Sequence, residues 1–341
     1  MEDQPPGPAD IAGTEGDPLP EARELAQGAA AAGLGLKLLG GLAVRVVCPD
    51  FPPRLRRDQD IDYACLARGR KDVAAYLERA GCRPDRRFNN LNGDRQMYFH
   101  APSGRPIDVM VDRLTMCHTL DFRPSFARLP LTLDAVDLLL SKLQIVELNA
   151  KDARDALQLL GALPVREPGS AGGGGAGGSG AGSGLEDDGP AGGGPAGGSG
   201  LGSGLEDDGP AGGGPAGGSG LGSGLEDDGP AGGGPADGGP AGGELASGAG
   251  PAPFIDAERF AKVLGGDWGW WRTVTGNLAK FPPLASDSPQ LLPPDPPFDP
   301  LAQARRLLEL ADAAPKGVKW RLRANIGDRV RWYELPEEVG H

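Results

Sequence analysis

The amino-acid sequence predicts an α+β fold: a mixed sheet flanked by helices, then a long disordered Gly-rich insert and a helical C-terminal portion. Two observations lead to this prediction. Segments with the spacing of short strands and of amphipathic helices alternate along the first half of the chain. Glycine and proline, 58 and 34 of the 341 residues, reach a level typical of low-complexity sequence, and about two thirds of the glycines lie in the stretch 169–253. Without that stretch and the first thirty or so residues, about 220 residues of ordinary composition remain, enough for one good core.

Glycine and proline divide the first half of the chain into elements. Ala-rich sequence predicts a helix over 21–32, and an apolar run ending in Gly40-Gly41 predicts a strand over 34–39. We expect a helix at 42–47, a strand at 61–66 and a helix at 71–80. A hairpin is expected to follow, with strands at 96–100 and 106–112 on either side of a turn-rich pentapeptide. The polar residues 88–95 are interpreted as a loop, which either lines a site or forms a surface turn.

Helical patterns continue after the hairpin. Thr132 is expected to cap a helix whose apolar positions follow a 3-4-3 spacing, namely Leu133, Val136, Leu140 and Leu143. Asn149 is expected to cap a second helix, 151–160, which Gly161 would end. Cys117 is interpreted as structural, because adjacent residues such as Cys117 and His118 face apart on a strand.

The C-terminal portion is expected to be helical over 254–278 and 301–314, with a Pro-rich connector over 282–300 and a basic–aromatic segment over 318–333. Its three clustered tryptophans, Trp268, Trp270 and Trp271, are interpreted as packing residues rather than a base-stacking platform.

Composition sets the predicted domain bounds: a disordered tail at 1–20, a core at 21–168, a repeat linker at 169–253, and a C-terminal helical portion at 254–341 that packs on the core. The linker repeats a 20-residue unit beginning Leu-Glu-Asp-Asp, at 185–204, 205–224 and, truncated, 225–236. A solenoid unit carries an apolar face that it can stack. This unit has one or two leucines among glycines, which predicts a flexible, self-repelling acidic linker instead of a solenoid or a calcium repeat.

Charge is distributed unevenly. The formal net charge is −13, yet residues 34–168 carry 17 acidic and 21 basic side chains. The mildly basic core is therefore compatible with a phosphate-bearing partner despite the overall acidity. Four cysteines without a C-x-x-C motif indicate a reduced protein without a structural zinc site. The sequence has no signal-peptide pattern and no apolar run long enough to span a membrane, so we expect a cytoplasmic protein without a membrane partner.

Three aspartates form the candidate site. Asp60 and Asp62 lie two residues apart on a predicted strand and therefore share one face, while Asp108 lies on a later strand. Carboxylates that share a face repel one another unless a cation neutralises them, and Mg²⁺ is normally held by one or two carboxylates plus substrate phosphates. Gly40 and Gly41 would let backbone amides approach a triphosphate. The alternative is that the aspartates are a solvated sheet edge.

The same order of motifs resembles the nucleotidyltransferase superfamily, and more particularly its bacterial AbiEii-type and minimal members. The resemblance rests on Gly40-Gly41-Leu42-Ala43, on Arg57-Asp58-Gln59-Asp60-Ile61-Asp62, on Lys142 within Ser141-Lys142-Leu143, and on the stretch Lys151–Asp155. It covers residues 34–160 well and extends loosely to 267–272 and 329–339. The Ser or Thr that follows the glycines in the family is Leu42 here, which removes a phosphate contact.

The resemblance implies both a fold and an activity: a nucleotidyltransferase-like core that transfers NMP from an NTP to an acceptor hydroxyl, using two Mg²⁺ ions. Asp60, Asp62 and Asp108 would hold metal, with Asp112 as the substitute for Asp108. Lys142 would contact phosphates, and the helix carrying Lys151 and Asp155 would close the site.

Other interpretations of these residues and of the protein stay open. Lys142 is otherwise a solvent-facing lysine, and Lys151 with Asp155 is otherwise an ordinary i,i+4 pair. The acceptor is RNA, a protein side chain or a small molecule, and a toxin–antitoxin partner is one option. The alternative function is a non-catalytic nucleotide-binding or antitoxin-like protein on the same fold.

Overall fold

The computed structural model describes residues 16–50, 60–167 and 252–335. A five-stranded mixed sheet lies at the centre of this part of the chain, with the strand order β1-β2-β5-β4-β3. Its strands are β1 (Lys37–Leu38), β2 (Ile61–Cys65), β3 (Arg83–Pro84), β4 (Gln96–His100) and β5 (Pro106–Val111). Strands β2 and β5 are parallel, and the other neighbouring pairs are antiparallel. The tail up to residue 15, the residues Arg57–Gln59 and nearly all of the repeat linker lie outside the described residues.

Side chains alternate between two environments along β5. Ile107 and Val109 are buried, whereas Asp108 between them is half-buried on the opposite face. On β2, Ile61 and Tyr63 are fully buried and Asp62 is half-buried. This is the alternation that the sequence predicts for a strand with one face in the core. The aspartates therefore share the face that is turned away from the core.

The described residues before β4 form the helices α1 (Leu19–Ala31), α2 (Gly40–Val47), α3 (Arg70–Arg79) and α4 (Arg86–Asn92). Helix α1 begins inside the segment that the sequence assigned to a disordered tail. Helix α4 replaces the predicted polar loop, so that prediction was wrong. The side chain of Asp85 caps α4 by accepting a hydrogen bond from the Phe88 amide at 2.8 Å, which offsets the poor helix propensity of its asparagines.

Helices α5 (Ala135–Leu143) and α6 (Ala150–Ala162) complete the first half. Asp134, not Thr132, caps α5, because its carboxylate accepts a hydrogen bond from the Val136 amide at 3.1 Å. Thr132 instead forms an isolated parallel bridge with Leu38. The predicted cap of α6 is confirmed: Asn149 accepts from the Asp152 amide at 2.9 Å. Every residue of α5 is buried, so the 3-4-3 spacing describes only part of its contacts.

Two small sheets flank the main one. Strands β6 (Arg113–Thr115) and β7 (Thr119–Asp121) form an antiparallel hairpin, and β8 (Val165–Arg166) pairs in parallel with β9 (Ile255–Asp256). Cys117 and His118 lie in the turn between β6 and β7 rather than on a strand, and both are buried. The second pair joins the segment before the linker to the segment after it.

The C-terminal portion contains α7 (Ala257–Gly266), α8 (Trp268–Asp287), α9 (Pro300–Ala313) and α10 (Val318–Ile326). The single helix expected over 254–278 is two helices, because the Asp267 side chain caps α8 by accepting from the Trp270 amide at 2.9 Å. Helix α8 also extends through Pro282 and Pro283, into the predicted connector. An interior proline costs about 3 kcal/mol, and burial of Phe281 beside these prolines offsets that cost.

Buried polar contacts join the C-terminal helices to the first half. Asn277 on α8 donates to the carbonyls of Leu143 and Ile145 at 2.9 and 2.7 Å. Arg259 on α7 pairs at 2.6 Å with Asp137, which is fully buried on α5. Trp268 and Trp270 are buried, so their interpretation as packing residues is confirmed.

The predicted fold class is confirmed for the described residues, which form a mixed sheet flanked by helices and a helical C-terminal part. None of their helices combines the length and the apolar character needed to cross a bilayer. All four cysteines are buried and free, as expected for structural thiols.

Candidate functional site

Asp62 and Asp108 lie side by side on the two parallel strands. They are register partners in the β2–β5 pair, so both side chains leave the same face of neighbouring strands, whose backbones lie about 4.8 Å apart. The pKa of Asp62 is raised to about 6, mainly by burial and in addition by the negative charges of Asp108 and Asp60. Asp60 is exposed immediately before β2. The structure therefore places Asp62 beside Asp108, and Asp60 lies near enough for its charge to act on Asp62.

Gly40 and Gly41 begin α2 directly beside these carboxylates. The amide of Leu39 donates to the Asp62 carbonyl at 2.9 Å, which holds the turn against β2. A Cβ atom at Gly40 would collide with the Asp62 carboxylate, and one at Gly41 would lie 3.7 Å from Asp155 Oδ2. The N-terminus of α2, where backbone amides lack intrahelical partners, thus opens onto the acidic face. That the backbone amides at Gly40 and Gly41 approach a triphosphate stays a prediction.

Lys142 is buried on α5 and forms ion pairs with two carboxylates of α6. Its Nζ lies 3.1 Å from Asp152 Oδ1 and 3.0 Å from Asp155 Oδ2. The interpretation of Lys142 as a solvent-facing lysine was wrong. Asp155, which the alternative interpretation paired with Lys151, forms an ion pair with Lys142 instead, and Lys151 is exposed. Burial lowers the pKa of Lys142, and Asp152 opposes that shift.

Both lysines act on the strand carboxylates. The positive charges of Lys142 and Lys151 oppose the rise in the pKa of Asp62, which shows that both ammonium groups lie within electrostatic range. Five carboxylates and two ammonium groups meet here: Asp60, Asp62, Asp108, Asp152 and Asp155 with Lys142 and Lys151. Neighbouring carboxylates repel both one another and a triphosphate, so a divalent cation bound between them would favour nucleotide binding here.

Strand β4 contributes two side chains that the sequence analysis missed. Gln96 Nε2 donates to Asp108 Oδ1 at 2.5 Å and fixes that carboxylate. Tyr98 is the register partner of Asp108 across the hairpin. The pKa of Tyr98 is raised to about 12, mainly by burial and in addition by the charges of Asp108 and Asp60. Counting outward from the predicted hairpin turn would have paired Tyr98 with Asp108, so the signal was present.

Asp112 does not substitute for Asp108. It lies just after β5 with φ +63°, and its Oδ1 accepts a hydrogen bond from the Ala67 amide at 3.0 Å. It therefore stabilises the turn that follows β2. No group of three or more His, Cys, Asp or Glu side chains among residues 16–50, 60–167 and 252–335 forms a ready-made metal cage.

The donor set still suits a hard divalent cation. Asp62 and Asp108 present carboxylate oxygens side by side, and Asp60 lies close to them. Mg²⁺ is usually bound by one or two carboxylates together with substrate phosphates rather than by an all-protein cage. A site completed by a nucleotide therefore fits the residues present.

Comparisons with known proteins leave the family unassigned. The chain matches no protein-family model and no curated protein sequence. Among solved structures it is similar to an antigenic nucleotidyltransferase-like protein from Paracoccidioides brasiliensis, with a TM-score of 0.28 and 15% sequence identity. The likeness covers 44% of this chain and 79% of that one. Function is therefore argued from the geometry of the site.

Proposed function

We propose that this protein is a Mg²⁺-dependent nucleotidyltransferase that transfers NMP from an NTP to an acceptor hydroxyl. The observation that carries the proposal is the in-register pair Asp62 and Asp108 beside the Gly40 turn. The side-by-side carboxylates support it, because a divalent cation bound to them would offset their repulsion of a triphosphate. The AbiEii-type resemblance of the motifs agrees with this function and remains part of the proposal.

In the proposed reaction, the acceptor oxygen forms a bond to the α-phosphorus and the bond to the bridging oxygen of pyrophosphate breaks. Asp60, Asp62 and Asp108 would hold Mg²⁺, which when bound neutralises phosphate charge and stabilises the leaving pyrophosphate. Asp108, oriented by Gln96, accepts the hydroxyl proton of the acceptor.

The lysines have different roles in this scheme. Lys151 is exposed at the start of α6 and binds phosphate oxygens. Lys142 holds Asp152 and Asp155, which keeps α6 against the site. A direct contact between Lys142 and a phosphate remains a prediction, because its ammonium group is already shared by two carboxylates.

Calorimetry tests the proposal. Each of the four NTPs is titrated with Mg²⁺ into the wild-type protein and into the double variant Asp60→Ala/Asp62→Ala. The matched control is Asp72→Ala/Glu78→Ala, which removes two exposed carboxylates from α3. We expect micromolar binding by the wild type and the control, and loss of at least about 100-fold in the site variant. Absence of wild-type binding to all four NTPs would refute the proposal.

A second assay separates catalysis from binding. Pyrophosphate release is measured with Mg²⁺ and the bound NTP, in the presence of total RNA, of protein substrates and of small polyhydroxylated acceptors. Release that depends on Asp108 supports the transferase. Tight binding without release from any acceptor class would instead support the non-catalytic, antitoxin-like alternative on the same fold.

A further inference from the structure

Large apolar side chains that are exposed concentrate near the C-terminal end of the described residues. Five of the seven exposed ones lie there, namely Val318, Leu322, Ile326, Val330 and Leu335. Soluble proteins rarely expose contiguous apolar patches without a binding role. This concentration therefore indicates an interaction surface, and it is independent of the proposed transferase site.

Three of these side chains form one line on α10. Val318, Leu322 and Ile326 are spaced by four residues and therefore lie on one face of the helix. They are 74%, 62% and 44% exposed. The opposite side of α10 is anchored, because Trp320 donates through Nε1 to the Leu264 carbonyl at 3.0 Å and its ring packs edge-on against Trp271. The helix is thus held in place with its apolar line directed outward.

Positive charges border this line on both sides. At 100° per residue, Lys319 falls on one side of the three apolar residues and Arg321 on the other. Both are exposed, and neither forms an ion pair with a described carboxylate. Arg329 and Arg331, farther along the chain, are also exposed, while Asp328 is paired with Arg272 at 2.9 Å. The surroundings of the apolar line are therefore basic.

We propose that the α10 surface, defined as Val318, Lys319, Arg321, Leu322 and Ile326, binds an acidic amphipathic helix of a partner protein. Side chains spaced by four residues are the pattern with which one helix packs its apolar face on another. Acidic residues that border the partner's apolar face would meet Lys319 and Arg321, so the charges select an acidic partner and steer its approach.

The charges and side-chain types argue against other occupants. A second copy of this chain, docked through the same face, would place Lys319 and Arg321 opposite like charges. The centre of the surface is aliphatic and offers no ring on which a nucleic-acid base can stack. A helix of nine residues also inserts little apolar area into a lipid surface.

Fluorescence anisotropy with the full-length protein tests the proposal. The probe is a labelled synthetic peptide of about 18 residues with leucines on one helical face and glutamates on the other. A second peptide of the same composition has the leucines scrambled over all faces. We expect saturable, salt-sensitive binding of the amphipathic peptide in the micromolar range and at least about tenfold weaker binding of the scrambled one.

Variants locate the binding to α10. Leu322→Ser and Lys319→Glu/Arg321→Glu are each expected to weaken peptide binding at least about tenfold. The matched control Lys262→Glu/Arg305→Glu makes the same change of charge at exposed positions on α7 and α9 and is expected to bind as the wild type does. Unchanged thermal unfolding of each variant shows that the fold is retained.

Several outcomes would overturn the proposal. They are absence of saturable binding up to about 1 mM peptide, equal binding of the two peptides, and equal binding by the wild type and the α10 variants. Sedimentation equilibrium that shows a Leu322-dependent dimer would assign the surface to a second copy. The surface would be assigned to RNA or to a membrane if single-stranded RNA or phosphatidylserine vesicles bound more tightly than the peptide and this binding depended on Leu322.

Discussion

Gly40 lies against Asp62 so closely that a Cβ atom at position 40 would collide with the Asp62 carboxylate. Gly40 also has φ +67°, a left-handed conformation that residues with a Cβ atom rarely adopt. The amide of Leu39 fixes the same turn by donating to the Asp62 carbonyl. One residue thus sets both the start of α2 and the space around a site carboxylate.

Gly40→Ala is therefore expected to lower the free energy of unfolding by at least about 1–2 kcal/mol, because it adds both left-handed strain and a collision. Gly41→Ala is the matched control, since its Cβ would meet Asp155 at an ordinary contact distance of 3.7 Å. We expect that control to stay within about 0.5 kcal/mol of the wild type in urea unfolding. Equal effects of the two changes would contradict this account of Gly40.

Gln96→Leu is expected to weaken Mg·NTP binding about tenfold, because removal of the amide releases the orientation of Asp108. Calorimetry with the NTP that the wild type binds most tightly measures the change. Asn90→Leu makes the same exchange of an amide for an apolar side chain at an exposed position of α4. The hydrogen bond would have no positioning role if Gln96→Leu bound as tightly as that control.

Lys142→Met is expected to destabilise the protein by about 3–5 kcal/mol, because it leaves the buried carboxylates of Asp152 and Asp155 without their cation. Adding Asp155→Asn to this variant should restore part of the loss in urea unfolding. Lys151→Met, at an exposed site on α6, should change the free energy of unfolding by less than about 0.5 kcal/mol and weaken nucleotide binding instead. A stable Lys142→Met variant would argue against the structural role of this ion pair.

Stability should depend on pH through His118, which hydrogen-bonds through Nε2 to Thr273 Oγ1 at 2.9 Å. Burial lowers the pKa of His118 from 6.5 to about 4. Between these values the unfolded chain binds a proton that the folded protein excludes, so stability falls as the pH is lowered from about 6.5 to 4, by about 3 kcal/mol in total.

Urea unfolding at pH 7, 5.5 and 4 tests this expectation by comparing the wild type with His118→Gln. As the pH falls, the free energy of unfolding of the wild type should decrease relative to that of His118→Gln. His100→Gln, at a half-buried position, is the control that retains the His118 contribution. A constant difference between the wild type and His118→Gln across this range would show that His118 does not titrate as described.

Short-range patterns in the sequence were sufficient for several elements. The alternation around Asp62 and Asp108 follows from the two-residue period of strands, and it placed both carboxylates on one face before any register was known. The Asn149 cap of α6 was equally predictable, because a cap depends on residues within one turn. The nucleotidyltransferase role of these residues stays a prediction.

Predictions failed where long-range packing outweighed local preference. The asparagine-rich residues of α4 favour a loop by themselves, yet Asp85 caps the helix and its packing against β4 stabilises it. Pro282 and Pro283 favour a helix end, but α8 continues to Asp287, and the burial of Phe281 stabilises the helix at this point. Thr132 was predicted to cap α5, but it instead forms a bridge with Leu38 of β1.

The sequence by itself determined how side chains alternate along β2 and β5 and that a turn lies at Gly40-Gly41, because these properties depend on neighbours a few residues away. Only the tertiary structure decided that Lys142 pairs with Asp152 and Asp155, and that Gln96 orients Asp108. Those contacts depend on how α5 approaches α6 and on the register of β4 against β5. Both are set by the packing of the whole core rather than by local sequence.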